Sequence, residues 1–91
     1  MEFEWDERKS DDCFQSRGFD FEYAAWVFFD KNKLIKLDDR RSYGEVRYQV
    51  TGLIEGRIYV VVFTPRKEKL RIISARKANK REVQHYENNK N

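Results

Sequence analysis

Residues 58–63, Ile-Tyr-Val-Val-Val-Phe, are apolar without alternation. A strand of that kind is buried on both faces, so it belongs in the middle of a sheet with partners on either side and covering layers above and below. The run has a strand's length and is far too short to span a bilayer. Pro65 ends the expected strand 57–64, and a charged turn, 66–69, follows it. The neighbouring stretches supply the partners. Residues 45–53 alternate, with Val46, Tyr48 and Val50 on one side and Glu45, Arg47, Gln49 and Thr51 on the other. Residues 34–38 and 70–76 read as further strands, and Ile54-Glu55-Gly56 as a turn.

The helices lie outside this block. Asp6 is an N-cap with Glu7 in the first turn, opening a polar helix that stops near Gly18. Cys13 and Phe14 are its main buried candidates. Asp20 caps a second helix, in which Phe21, Ala24, Ala25 and Phe28 fall at helical spacing, and Trp26 and Val27 widen the stripe. Asn79 followed by Glu82 reads as a capping box for a C-terminal helix. Phe3-Glu4-Trp5 alternates as a short edge strand, 38–44 is a polar loop, and only 87–91 looks frayed. The expected fold is α+β: one domain over 1–91 in the order β-α-α-β-β-β-β-α. Two N-terminal helices and one C-terminal helix pack on one face of a mainly antiparallel sheet.

Charged residues are 38% of the chain, but 15% aromatics argue against disorder. Residues 1–45 carry twelve acidic against eight basic side chains, and residues 46–91 carry four against eleven. That asymmetry aims a basic face at nucleic acid or at an acidic partner. Cys13 is the single cysteine, so no internal disulfide or thiolate metal cluster forms, and a reducing, cytoplasmic setting fits. The start, Met-Glu-Phe-Glu-Trp-Asp, lacks the basic and apolar regions of a signal peptide.

Between residues 66 and 81 stand eight cationic side chains and one acid, Glu68. Such density needs water or a polyanion around it, and phosphate is the obvious ligand. With one histidine, His85, placed on the C-terminal helix, no Ser-His-Asp arrangement can be assembled and no histidine–cysteine metal set is present. A hard cation would have only the loop pair Asp38 and Asp39, of a kind that is usually just solvated. RNA is cleavable without metal. Its 2′-hydroxyl attacks the adjacent phosphorus once aligned, and an enzyme supplies alignment, proton transfer and cations. Arginine suits the last task, since its planar fork grips two phosphate oxygens. Glu45 and Arg47 share one side of their strand, and Glu45 serves either as base or as the carboxylate that holds Arg47. Strict alternation sends Arg71 and Arg76 to opposite faces unless a bulge re-aims one of them.

These residues resemble the BrnT family of bacterial type II toxins. The matching segments are Phe3-Glu4-Trp5-Asp6 with Lys9; Phe21-Glu22 with Ala24, Val27-Phe28 and Asp30; Gly44-Glu45 with Arg47; Gly56-Arg57; Val60-Val61-Val62-Phe63-Thr64; and Arg71-Ile72-Ile73-Ser74-Ala75-Arg76-Lys77-Ala78 with Arg81-Glu82 and Tyr86. The resemblance implies a RelE-like ribonuclease fold and a metal-independent endoribonuclease that needs no cofactor and arrests translation. It also implies a BrnA-type antitoxin with a ribbon-helix-helix DNA-binding part, through which alone operator DNA is engaged; no membrane is involved. Lys9, Glu45, Arg47, Arg71 and Arg76 are the expected catalytic residues, and Arg17, Lys77, Lys80 and Arg81 the expected RNA-binding ones. Where the family carries Asn and then Lys-His-Gly, this chain has Cys13 and Ser16-Arg17-Gly18. Arginine is a poor proton-transfer group. The alternative is therefore a catalytically weakened or inactive module that still binds its antitoxin or nucleic acid.

Overall fold

The computed structural model describes residues 1–39 and 44–90. Among them, the elements run β1 (Glu2–Trp5), α1 (Glu7–Arg17), α2 (Phe21–Ala24), β2 (Leu34–Leu37), β3 (Tyr48–Ile54), β4 (Arg57–Arg66), β5 (Lys69–Lys77) and α3 (Lys80–Asn88). A 3₁₀ segment, Ala25–Phe29, continues α2. The fold is α+β with a five-stranded sheet ordered β1-β5-β4-β3-β2, and the apolar run lies in its centre on β4.

The sheet is mixed rather than antiparallel throughout. β1 pairs with β5 in parallel, whereas the other three pairings are antiparallel. A short hairpin forces its two strands to run oppositely, but two helices and three strands separate β1 from β5, so no turn dictates their direction. The second N-terminal helix is shorter than expected, a single α-turn before the 3₁₀ winding.

The caps read from sequence are present. Asp6 accepts from the backbone N–H of Arg8 and Lys9, and Asp20 from that of Tyr23. Asn79 and Glu82 complete a reciprocal capping box. Gly18 ends α1 with φ +88, a conformation that side chains with a Cβ resist.

Both faces of the sheet are covered, not one. α1, α2 and the 3₁₀ segment bury Phe21, Ala24, Val27 and Phe28 against Val50, Tyr59, Val61, Phe63, Ile72 and Ala75. Ile58, Val60 and Val62 alternate with that set and are also buried. α3 packs on this face against β3, with Tyr86 only 1% exposed and its hydroxyl donating to Asp30 Oδ2 at 2.6 Å. Asp30 also accepts from the Leu53 N–H at 2.8 Å, so one carboxylate ties α3 to the β3 edge.

Several local expectations need correction. Phe14 and Trp26 point outward, and Ser10 takes the inner place on α1, where its Oγ accepts from the Phe21 N–H. β3 begins at Tyr48 rather than at 45. β4 continues through Pro65, which lies past the last β3 pairing, Tyr48 with Phe63, so its missing N–H breaks no ladder bond on that side. α3 continues to Asn88, past the point where fraying was expected. Of the polar loop expected at 38–44, residues 40–43 lie outside the described residues.

Gly52 sets how closely the 3₁₀ segment can approach the sheet. A Cβ there would stand 2.9 Å from the Val27 carbonyl oxygen and 3.1 Å from the Val27 Cβ. Gly52→Ala is expected to destabilise the fold by about 1–3 kcal/mol, read as a lower urea midpoint.

Candidate nucleic-acid interface

The site is decided by one irregularity in β5. Phe63 faces Ile72 while Val62 faces Ser74, so Ile73 is an extra residue opposite β4. A bulge shifts the alternation by one. Ile72 and Ala75 consequently both point into the core, and Arg71, Ser74 and Arg76 all leave on the other face, towards α3. The expected split of Arg71 and Arg76 onto opposite faces is thereby overturned. The two arginines face Thr64 and Val60 on β4, which at ~3.3 Å per residue sets them roughly 13 Å apart along the strand.

Arg47 joins them. It lies just ahead of β3 and in phase with Gln49 and Thr51, and its backbone carbonyl accepts from the Asp38 N–H at 2.8 Å. Thr64, opposite Arg71, donates through Oγ1 to the Val46 carbonyl at 2.5 Å. Arg47, Thr64 and Arg71 therefore form a row across three neighbouring strands. Lys36, on β2, occupies the next row towards α3 with Gln49, Val62 and Ser74.

Each arginine has a carboxylate beside it. Arg47 donates to Glu45 Oε2 from Nε at 3.2 Å and from Nη2 at 3.0 Å, while Arg66 approaches Glu45 Oε1 at 3.5 Å. Arg71 donates to Glu4 Oε2 at 3.4 Å. Arg76 makes a bidentate pair with Glu82, at 2.7 and 2.8 Å. Glu82 is also the capping-box residue of α3, accepting from the Asn79 N–H. The Arg47 hydrogen bond holds the Glu45 carboxyl below its ordinary range, outweighing the opposing effect of burial, and Arg66 adds to it. The Arg76 hydrogen bond does the same to Glu82, with Lys36 contributing through space.

The remaining expected residues are not on this face. Lys9 and Arg17 project from α1 into a shallow depression at the edge of β5, together with Cys13, Ser16, Ile73 and Ser74. β1 stops pairing at Ile72, so that stretch of edge has no strand beside it among the described residues. Lys77 sits across from Tyr59 and so faces the α1 side. Lys80 and Arg81 are exposed in the first turn of α3. The cations thus form a belt that starts on the α3 face, passes over the free edge of β5 and ends at the C-terminal end of α1.

Residues 5–82 match the family of the ribonuclease toxin, BrnT, of type II toxin-antitoxin systems. The chain belongs to the BrnT family. No curated protein matches it. Membership makes it a ribonuclease toxin whose substrate is RNA and whose counterpart is an antitoxin. Among the described residues, no helix is long and apolar enough to cross a membrane.

Two carboxylate partners in this BrnT site are not read from the sequence: Glu4 enters there only as part of a strand and Glu82 only as a cap. The alternation of Phe3-Glu4-Trp5 already placed Glu4 away from the core, and that was the usable signal.

Glu45, Glu82 and Asp30 are all held below their ordinary carboxyl range. For Asp30, burial pushes upward, but hydrogen bonds from Tyr86 and from the N–H groups of Asn32 and Leu53 prevail. Groups depressed in the folded state stabilise it above their unfolded values, near pH 4, and that contribution fades as pH falls through the folded values. The urea midpoint is expected to hold between pH 7 and about pH 5 and to fall steeply towards pH 3. Glu82→Gln is expected to lower it at pH 7 and flatten the acid limb.

Proposed function

We propose that the chain is a metal-independent endoribonuclease that acts by holding RNA in the geometry for attack by its own 2′-hydroxyl. The observation that carries this is the bulge at Ile73, which gathers Arg71 and Arg76 with Arg47 on one surface. Arg71 and Arg47 grip the scissile phosphate and oppose the charge that builds on its oxygens. Arg76, further along the same face and pinned by Glu82, holds an adjoining phosphate. Glu45 keeps Arg47 in position; a carboxylate whose pKa is depressed by its arginine is a weak proton acceptor, which favours this role over that of base. Lys9 borders the face across the β5 edge and supports proton transfer or charge. Arg17, Lys77, Lys80 and Arg81 bind flanking phosphates. Lys80 and Arg81 run against the dipole of α3, an arrangement that suits a nearby anion.

Toxicity follows from the arrest of translation by RNA cleavage. Neutralisation falls to a BrnA-type antitoxin, whose ribbon-helix-helix part binds operator DNA. A second reading, a weakened or inactive binding module, draws on the carboxylates at Glu4, Glu45 and Glu82, each of which competes with phosphate for its arginine, and on Arg17 in the place of the family histidine.

Incubation with bare RNA in excess EDTA separates the two. Cleavage that persists in chelator, and falls on the order of a hundredfold in Arg71→Ala with an unchanged urea midpoint, is the expected outcome. RNA that stays full length at a large excess of pure, folded protein leaves only the binding module.

A further inference from the structure

The aromatic interior of a pocket on the α1 side of the sheet is unused by that mechanism. Phe19 and Tyr59 form its floor, edge to face with ring centroids 5.0 Å apart. Tyr23 continues the floor at 5.9 Å from Tyr59, its hydroxyl fixed by Glu55 at 2.6 Å. Phe14 is a wall, and Arg17 and Lys77 stand at the rim. The depression is open to solvent and offers about 390 Å³, within the lower part of the usual range for small-ligand sites, ~300–1,000 Å³.

Phe14 has no packing reason to be aromatic, since 54% of its surface is exposed while its neighbour Cys13 faces the core. Two features keep phosphate out of the interior. Asp20 lines it, and the carbonyl end of α1 opens beside it. A flat, uncharged group suits the interior, and the anion suits the rim. That division matches one nucleotide, with its base inside and its phosphates on Arg17 and Lys77. Arg17 also borders the depression that holds Lys9 and Ser74, which connects the pocket to the arginine face.

We propose that this pocket holds one unpaired base of the RNA, stacked on Phe14, and so registers the strand on the arginine face around the β5 edge. The inference rests on the ribonuclease reading and adds a condition to it. A base in the pocket must leave its helix, so the substrate is single-stranded there.

Fluorescence anisotropy with short 2′-O-methyl oligonucleotides, which lack the attacking hydroxyl, tests this on the intact protein. A series carrying one abasic position at a time keeps the phosphate charge and removes one base. Phe14→Ala is expected to weaken binding about 5- to 100-fold, and Phe14→Trp to restore it. At one abasic position, wild type should lose as much, and Phe14→Ala should lose nothing further. Equal affinity of wild type and Phe14→Ala for every oligonucleotide overturns the pocket, and so does a loss in Phe14→Ala that is the same at every abasic position. If RNA is still cut while Phe14 makes no difference, the ribonuclease stands without the pocket. If Phe14-dependent binding is found but RNA is never cut, the pocket stands and the catalytic reading falls.

Discussion

The extra residue at Ile73 is the constraint on which the arginine surface depends. Without it, alternation would carry either Arg71 or Arg76 into the helix-covered core, where an unpaired guanidinium is heavily penalised. With it, the core keeps Ile72 and Ala75, and the opposite face keeps both arginines. The bulge lies where β1 has stopped pairing, so the disturbed backbone is at an open edge rather than within a continuous ladder. A bulge in such a place twists the strand and opens a margin beside it. Lys9 and Arg17 of α1 occupy that margin.

Much of the architecture was legible from local chemistry. The unbroken apolar run gave a central strand because burial on both faces leaves no room for polar residues, and β4 is that strand. Asp6, Asp20, Gly18 and the Asn79–Glu82 pair marked helix ends through backbone groups that need partners close in sequence, and all four do so. What failed were properties set at long range. The parallel pairing of β1 depends on contacts with a strand near the far end of the chain. The outward turn of Phe14 and Trp26 depends on which side of each helix the sheet comes to lie. The bulge depends on register against β4, which nothing within β5 announces. In the site, alternation put Glu45 with Arg47 correctly and separated Arg71 from Arg76 incorrectly, and both results follow from the same rule.

Every arginine on the face is held before any ligand arrives. Glu45, Glu4 and Glu82 keep three long side chains extended over the sheet, which lowers the entropy that phosphate binding would otherwise have to overcome. The same pairs must loosen for phosphate to take the guanidinium, so orientation is gained at the expense of affinity. Glu82 carries this furthest, because it also caps α3. A ligand that draws Arg76 away from Glu82 acts on the anchoring of a helix as well as on a side chain.

The contact between Glu4 and Arg71 joins residues 67 positions apart. Contacts of that separation form late, because loop closure has to be met before they stabilise anything. During synthesis the first strand leaves the ribosome without a neighbour, and it stays so until β5 has followed it out. The arginine face is thus completed only once β5 has been made, because Arg71 meets Glu4 and β1 meets its neighbour in that strand alone.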